Sequence, residues 1–274
     1  CGSTKPRCAS CANRPARVHA FPGLPGPPPD RPDRPVCADG GRGLPRSATG
    51  WGSFRAMARR FANRLAAAKA LLPRLQAVLT PEDAPVIIAL PRGGVPIAAA
   101  LAKALNAPLD LVLLRKIGLP KQPELAVAAI TNGQHPALHV NAPIARAAGL
   151  SRADIERLAA PGLAEIARRR ALWYDGTRPR PSLAGKTVVV VDDGIATGAS
   201  LRAALAWLGQ QRVGRLILAV PVAPPEVLAE LEADADAIIC LATPQPFHAV
   251  GAHYEDFPQV TDAEVTEALA ASRA

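Results

Sequence analysis

The sequence predicts an α/β protein in which a mostly parallel central sheet is flanked by helices. Short apolar runs alternate with helical segments along most of the chain, which is the pattern of a parallel sheet covered by helices. Loops rich in glycine and charged residues follow two of these runs, at Leu90–Val95 and at Asp192–Ser200. The length of 274 residues and the 49% hydrophobic composition are sufficient for a full core.

Residues 1–56 differ from the rest of the chain in composition. They contain ten Pro and eight Gly, a proportion typical of low-complexity sequence that cannot form a core. They also carry nine Lys/Arg against three Asp/Glu, so most of the net charge of +9 lies there. We therefore expect a disordered tail over 1–56 and one folded domain over 57–274, and we hypothesise that translation starts at Met57 and that the tail is not native coding sequence.

The composition of residues 57–274 argues against several functional classes. Lys/Arg and Asp/Glu are nearly balanced at 23 against 20, so no basic nucleic-acid face is indicated. Cys240 is the only cysteine after the tail, which excludes a disulfide framework there and favours a reducing compartment. The CxxC at Cys8–Cys11 is weak evidence for zinc without further ligands. The sequence has no apolar run of about 18 residues, so no membrane span is predicted. We therefore expect a cytoplasmic protein.

The first helix is predicted over Ala58–Leu79, with Phe61, Leu65, Leu72 and Leu75 near one face. Pro73 should kink or end it, because proline lacks the amide that a helix interior requires. Apolar runs and glycine or proline positions then predict a strand at Val86–Leu90, a helix at Pro96–Leu105, a strand at Leu109–Leu114, a loop at Ile117–Pro123 and a strand or hairpin arm at Leu125–Ile130.

The second half of the chain continues the alternation of helices and strands. Ser151, with Asp154 three residues later, predicts a helix start, and this helix runs towards Trp173 with an interruption at Pro161–Gly162. Thr187–Val191 is strongly β-prone and is predicted as a central strand. The remaining predicted elements are helix Ala199–Gln210, strand Arg215–Val220, helix Pro225–Leu231 and strand Ala237–Leu241.

The loop DDGIATGAS after the central strand has the residues of a sugar-phosphate site. Its glycines allow tight turns, and its amides, with the hydroxyls of Thr197 and Ser200, suit a phosphate at the start of the next helix. Asp192 and Asp193 can accept from adjacent sugar hydroxyls or hold a hard cation, although a turn with one capping acid is the alternative. The predicted ribose 5-phosphate site comprises Asp192, Asp193, Gly194, Ile195, Ala196, Thr197, Gly198, Ala199 and Ser200.

Two further loops carry cations where strands are predicted to end. In LPRGGV, Arg92 offers a planar guanidinium to phosphate oxygens, and Gly93 and Gly94 allow the backbone to approach an anion closely. Arg115 and Lys116 end the run LDLVLL. Solvated surface cations are the alternative at both places. If all three loops share one edge of the sheet, they predict a site for an anion larger than one phosphate.

These three loops together resemble the type I phosphoribosyltransferases, and the resemblance covers nearly all of residues 57–274. DDGIATGAS resembles that family's signature for phosphoribosyl pyrophosphate (PRPP), PRGG resembles its pyrophosphate loop, and Arg115–Lys116 resemble the basic residues that head its mobile loop. The combination of LPRGGVPIA, LRKIGLPKQPELAVAAI and FHAVGAHYEDFPQVTD is similar to a bacterial branch of predicted phosphoribosyltransferases whose acceptor is unassigned.

The resemblance implies a fold, a reaction and ligands. The parallel sheet should carry a small hood formed by terminal segments, and Mg²⁺ should act with Asp192 and Asp193, directly or through water. PRPP and a small nitrogen acceptor are the implied ligands, with a homodimer as the implied assembly and nucleotide metabolism as the context. The implied catalytic residues are Asp192, Asp193, Arg92, Lys116 and Glu124, and the implied pyrophosphate site is Arg92, Gly93, Gly94, Arg115 and Lys116.

The acceptor is less constrained by these motifs. Family members that act on 6-oxopurines usually carry an acid where this chain has Ala196, so a different acceptor is implied, and Glu124 is the candidate acid of the mobile loop Ile117–Ala126. Tyr254 and Phe257, close to Phe247 and His253, could stack on a base, although a small local core is the alternative. The competing functions are a non-enzymatic PRPP or nucleotide sensor, a PRPP hydrolase or transferase acting on a non-base amine, and a domain that has lost activity.

Overall fold

The computed structural model describes residues 60–120, 122–132, 136–174 and 180–272. The predicted tail over 1–56 lies outside these residues. The helices are α1 Arg64–Val78, α2 Val95–Leu105, α3 Ala142–Ala147, α4 Arg152–Trp173, α5 Ala199–Gly209, α6 Pro225–Leu231 and α7 Asp262–Ala271. The strands are β1 Val86–Ala89, β2 Leu109–Leu111, β3 Leu113–Leu119, β4 Gln122–Asn132, β5 Pro136–Val140, β6 Thr187–Val191, β7 Arg215–Val222 and β8 Ala237–Ala242.

The predicted parallel α/β fold is confirmed. Within the described residues, five strands form one sheet in the order β2-β1-β6-β7-β8, and each neighbouring pair is parallel. β6 lies in the middle, and its four valines have no exposed surface. β1 and β6 are neighbours, but the chain continues from β1 to β2 on one side and from β6 to β7 on the other. Such a switch point places a crevice outside the carboxyl ends of β1 and β6, where ligands of parallel sheets bind.

The described residues divide into two compact units. Leu114–Ile166 form the smaller unit, which holds a sheet in the order β3-β4-β5, with β4 and β5 antiparallel and α3 packed on β4. Residues 60–113 and 167–272 form the larger unit, which contains the parallel sheet. There α1 packs on α2, β7 and β8, and α2 also contacts α7.

Helix α1 starts later than predicted and buries a different face. It begins at Arg64 because the Asn63 side chain accepts from the Ala66 amide at 2.9 Å, which caps the first turn. Its buried residues are Arg64, Ala67, Ala68, Leu71 and Leu75, whereas the predicted Leu65 is 51% exposed. The prediction that Pro73 could end the helix is wrong, because packing of this face carries the helix through the exposed proline to Val78.

The predicted strand Leu109–Leu114 is two strands, since β2 ends at Leu111 and β3 begins at Leu113 in the other sheet. The predicted loop Ile117–Pro123 is also wrong. β3 extends to Leu119 and β4 starts at Gln122, so strands occupy most of the segment, while Lys121 lies outside the described residues. The Ile117 side chain is buried, and burial within the small sheet outweighs the local turn tendency of glycine and proline.

The predicted interruption of helix α4 at Pro161–Gly162 is wrong too, because the helix is continuous. A Cβ at Gly162 would lie 2.9 Å from Cδ1 of Ile130 and 3.2 Å from Cδ1 of Ile117, so glycine permits close packing of the helix on these side chains. The predicted start is confirmed, since the Asp154 carboxylate accepts from the Ser151 amide at 2.8 Å and the Ser151 hydroxyl accepts from the Asp154 amide at 3.2 Å.

The remaining predicted elements match the structure to within two residues at each end, except that β4 begins three residues earlier than predicted. The sequence interpretation missed β5, α3 and α7. Across the ranges that the structure describes, no helix combines the length and the apolar character needed to cross a membrane.

Candidate functional site

The loops that follow β1 and β6 touch each other at the switch point. Leu90 donates its amide to the Val191 carbonyl oxygen at 3.0 Å, which extends the strand pairing. A Cβ on Gly94 would lie 2.6 Å from that same oxygen and 2.9 Å from Cα of Asp192. Because real Cβ atoms do not approach so closely, only glycine allows the two backbones to meet here. The predicted PRGG and DDGIATG loops are therefore parts of one crevice.

Asp193 lies directly against the PRGG loop. A Cβ on Gly93 would be 2.1 Å from Oδ2 of Asp193, so the carboxylate occupies the space that any larger residue at position 93 would fill. Asp192 accepts the backbone amide of Asp193 at 2.9 Å. The two carboxyl groups are also close enough for the Asp193 charge to act on Asp192.

Burial shapes the charge of this acid pair. Burial raises the pKa of the Asp192 carboxyl well above its usual range, and the neighbouring Asp193 charge raises it further. Burial also raises the pKa of Asp193, although hydrogen bonds and charge from Arg64 act in the opposite direction. Two carboxylates in this space resist full ionisation together, so hydroxyl donors or a cation would stabilise the charged pair.

Arg64, which the sequence interpretation did not single out, binds the second acid. Its Nε and Nη2 atoms donate to Oδ2 of Asp193 at 3.0 and 2.8 Å, and its Nη1 donates to the Pro258 carbonyl oxygen at 2.7 Å. The guanidinium carbon also lies 3.8 Å from the ring centre of Phe257. Two features of the sequence could have pointed to Arg64. Asn63 is a helix cap directly before it, and Arg64 has helical spacing with the buried residues Ala67, Ala68, Leu71 and Leu75, which places it on the buried helix face.

The two terminal segments of the larger unit meet beside Asp193. The Phe61 amide donates to the His253 carbonyl oxygen at 2.8 Å, and the Glu255 amide donates to the Phe61 carbonyl oxygen at 2.9 Å. Tyr254 donates its hydroxyl to the main-chain oxygen of Asp193 at 2.6 Å. Asp193 is therefore held through its carboxylate by one terminal segment and through its carbonyl by the other.

The rings proposed for the acceptor are packed among these contacts. Tyr254 is 4% exposed, and its ring centre lies 5.6 Å from that of Phe61 and 4.7 Å from that of Phe257. Phe257 is half-buried. Phe247 and His253 form a separate ring pair at 5.2 Å. These contacts have the form of the local aromatic core that was the alternative, and an acceptor role for Tyr254 and Phe257 stays a prediction.

The predicted phosphate loop starts helix α5. Gly198 has φ +69° at the helix N-cap, and its Cβ position lies 2.6 Å from Cγ1 of Val227, so both conformation and space require glycine. The Ile195 amide donates to the Val222 carbonyl oxygen at 2.8 Å. The prediction that this amide points towards a phosphate is therefore wrong, because the amide donates its hydrogen bond to β7. Ala196 and Thr197 are exposed, and Ala199 and Ser200 are half-buried.

Arg202 ties this loop to its surroundings. One of its terminal nitrogens donates to the Thr197 carbonyl oxygen, and the other donates to Glu230 of α6 at 2.8 Å. Arg202 therefore links the loop to α6.

Arg92 extends from the first loop towards the C-terminal helix. Its peptide bond with Pro91 is cis, and its Nη1 lies 3.6 Å from Oδ1 of Asp262, the first residue of α7. The sequence interpretation missed this acid, although Thr261 and Glu264 form a capping box that marks the helix start.

Other predicted site residues belong to the smaller unit. Arg115 and Lys116 lie within β3 rather than at a strand end, and both are exposed. Glu124 lies in β4, and its side chain is outside the described part of the structure. Their approach to Arg92 stays a prediction.

Comparison with known proteins agrees with the geometry of the crevice. A family model described as Phosphoribosyl transferase domain matches residues 62–256. The chain is 42% identical over 184 residues to the candidate phosphoribosyl transferase Rv0571c of Mycobacterium tuberculosis (strain ATCC 25618 / H37Rv) and to its equivalent MT0597 in strain CDC 1551. These alignments cover 67% of this chain and 41% of each relative, so the chain spans less than half the length of these curated proteins.

A solved structure extends the likeness to the fold. The crystal structure of TT1426 from Thermus thermophilus is 40% identical, with a TM-score of 0.67, over 77% of this chain and 97% of that chain. The matched family region includes both loops of the crevice, the acid pair, Arg64 and Tyr254. The chain belongs to the phosphoribosyl transferase domain family.

Proposed function

We propose that this protein is a Mg²⁺-dependent phosphoribosyltransferase that moves the ribose 5-phosphate of PRPP to a nitrogen nucleophile and releases pyrophosphate. The observation that carries the proposal is the meeting of the PRGG and DDGIATG loops at the β1–β6 switch point, with the Asp193 carboxylate against Gly93. Family membership supports the transferase class.

The β6 loop would bind the sugar end of PRPP. Asp192 and Asp193 would accept hydrogen bonds from adjacent ribose hydroxyls, which suits two carboxylates in one small volume. The loop from Ala196 to Ser200 would bind the 5-phosphate through amides and hydroxyls at the start of α5, where the helix dipole favours an anion.

The β1 loop would bind the leaving group. Arg92 can donate to pyrophosphate oxygens, and the glycines at 93 and 94 allow the backbone to come close to them. Arg115 and Lys116 would have the role of the basic residues that close over pyrophosphate, as the family resemblance implies. Charge stabilisation of the departing pyrophosphate would then contribute much of the catalysis.

The donor set fits Mg²⁺, because adjacent carboxylates supply the hard oxygen ligands that this ion prefers. Among the residues that the structure describes, no cluster of three His, Cys, Asp or Glu side chains could hold a metal. In this proposal Asp192 and Asp193 contact the ion directly or through water, with substrate oxygens completing its shell. When bound, the ion would offset negative charge on pyrophosphate.

In the reaction, the acceptor nitrogen forms a bond with the anomeric carbon while the bond from that carbon to pyrophosphate breaks. Pyrophosphate leaves with the electron pair, and the acceptor loses its proton. The transition state resembles an oxocarbenium ion, as in glycoside hydrolysis. Glu124 of β4 is the candidate to take the proton. Ala196 is exposed and offers no acid to a 6-oxopurine, so we propose a different nucleobase-like nitrogen acceptor.

The proposal is tested by pyrophosphate release from PRPP and Mg²⁺ against a panel of purines, pyrimidines and amines. The double variant Asp192→Asn/Asp193→Asn is the control and should release none. PRPP binding without release for any acceptor would favour the sensor, while hydrolysis of PRPP without acceptor would favour the hydrolase. A wild-type protein that does not bind PRPP would refute the proposal.

A further inference from the structure

Arg64 is an arginine buried beside the acid pair, with 10% of its side chain exposed. Its guanidinium has a partner at each nitrogen and on its plane: Asp193 at Nε and Nη2, Pro258 at Nη1, and the Phe257 ring against the plane. A charged side chain so enclosed has little freedom to rotate, and its position is set by the first turn of α1 and by the C-terminal segment.

The two acids differ in how they are held. Both Arg64 bonds to Asp193 end on Oδ2, so Oδ1 takes no part in the ion pair. Tyr254 holds the main-chain oxygen of the same residue. Asp192 accepts from the neighbouring amide and interacts with the Asp193 carboxyl, and the Arg64 charge acts on it as well.

We propose that Arg64 is a positioning residue for PRPP binding, which holds Oδ2 of Asp193, offsets one of the two carboxylate charges and leaves Oδ1 for a ribose hydroxyl. The inference rests on the proposed function, because it concerns how the acid pair meets PRPP. PRPP is a polyanion, and a second unpaired carboxylate beside it would repel it. An unpaired Asp193 would also be free to rotate away from the sugar, since Gly93 provides no side chain to block it.

The test is a set of PRPP–Mg²⁺ titrations by calorimetry, with ribose 5-phosphate as a second probe, at a temperature at which every variant is folded. The variants are Arg64→Gln, Arg64→Lys, Asp193→Asn and the double variant Arg64→Gln/Asp193→Asn. We expect each glutamine or asparagine variant to weaken PRPP binding about tenfold or more. Arg64→Lys should lose less PRPP affinity, because lysine keeps the positive charge. It should still lose some, because lysine does not reproduce the two hydrogen bonds from Nε and Nη2.

The double variant distinguishes positioning from independent contributions. If the two residues contribute independently, the losses of PRPP affinity multiply to about a hundredfold in the double variant. If they act as one unit, the affinity of the double variant should be within about threefold of that of the single variant that binds PRPP more weakly. The double variant removes the Arg64 charge and the Asp193 charge together, so neither is left without its partner, and this is why its loss should not accumulate.

Arg215→Gln is the matched control. Arg215 lies 3.1 Å from Asp83, but it begins β7 and so lies at the amino ends of the strands, opposite the crevice. This variant should lower the melting temperature and leave PRPP affinity unchanged, which separates positioning from general stability.

The inference is overturned if folded Arg64→Gln binds PRPP like wild type, if the losses multiply, or if Arg215→Gln weakens binding equally. If Arg64→Gln does not fold, unchanged affinity in both Arg64→Lys and Asp193→Asn overturns it. Failure of the wild-type protein to bind either probe is a different result, because it refutes the proposed function before any variant is compared.

Discussion

Arg92 and Asp262 face each other across 3.6 Å, so the acid that begins the C-terminal helix lies beside the arginine that we assign to pyrophosphate. The pair is partly exposed and longer than a hydrogen bond, so we expect it to be weak, on the order of 0.2–1 kcal/mol. Asp262→Asn should free Arg92 and tighten pyrophosphate binding by no more than about fivefold, as measured by calorimetry. Weaker binding in this variant would show instead that Asp262 orients Arg92.

Gly93→Ala should disrupt the crevice, because its Cβ would overlap the Asp193 carboxylate that Arg64 holds in place. We expect a loss of about 1–3 kcal/mol in unfolding free energy and a loss of PRPP affinity, measured by urea unfolding and by calorimetry. Gly209→Ala is the control, since nothing lies within 4 Å of its Cβ position, and it should be neutral or slightly stabilising. Normal PRPP affinity in Gly93→Ala would contradict the contact.

Gly198→Ala tests the phosphate loop. Its φ of +69° should cost about 1–2 kcal/mol in an alanine, and the contact with Val227 should add to that cost. Gly149→Ala has nearly the same φ, +64°, with nothing within 4 Å, so it isolates the conformational part. Thermal unfolding should rank Gly198→Ala as the less stable variant, and only this variant should bind ribose 5-phosphate more weakly. Equal stability of the two would argue against the Val227 contact.

Tyr254→Phe should remove the hydrogen bond to the Asp193 carbonyl while keeping the aromatic ring. The expected loss in unfolding free energy is about 0.5–1.5 kcal/mol, measured by urea unfolding. Tyr174→Phe is a comparison, because that hydroxyl contacts Asp110 rather than the acid pair and should leave PRPP affinity unchanged. If Tyr254→Phe is as stable as wild type, the hydroxyl does not hold the loop.

Both tyrosines of the chain should ionise at a higher pH than a free tyrosine. Burial raises the pKa of Tyr254, with the Asp193 charge acting in the same direction, and burial with the Asp110 charge raises the pKa of Tyr174. A folded pKa above the unfolded value of about 10 contributes stability that is complete below that pH and is lost as the pH rises beyond it. Tyrosinate absorbance should therefore appear together with unfolding. A tyrosinate signal near pH 10 in a folded protein would contradict this.

The sequence alone predicted the parallel α/β class and the two main loops of the crevice. Thr187–Val191 is continuous and β-branched, and such a run is buried whichever elements cover it. Because the carboxyl ends of parallel strands share one edge, loops that follow two neighbouring strands can be expected to meet, as PRGG and DDGIATG do. These features depend on local pattern and on a general rule of sheet topology.

The secondary structure of the middle of the chain was predicted wrongly from the sequence. Ile117–Pro123 contains glycine and prolines that locally favour a loop, but burial of Ile117 in a second sheet makes most of it strand. Helix α4 continues through Pro161 for a similar reason, since Gly162 packs closely on Ile130. In each case the deciding contacts join residues that are distant in sequence, and local propensity does not contain them.

The partners of the acid pair were decided by tertiary structure. Asp192 and Asp193 could be found from their position after β6, but Arg64 lies 129 residues from Asp193 and reaches it because the two terminal segments meet at Phe61 and Tyr254. The Ile195 amide was assigned to phosphate by position, yet β7 takes it. Local patterns determined which residues carry charge at this edge, and long-range packing determined which of those charges are paired, because pairing depends on distances that a linear sequence does not specify.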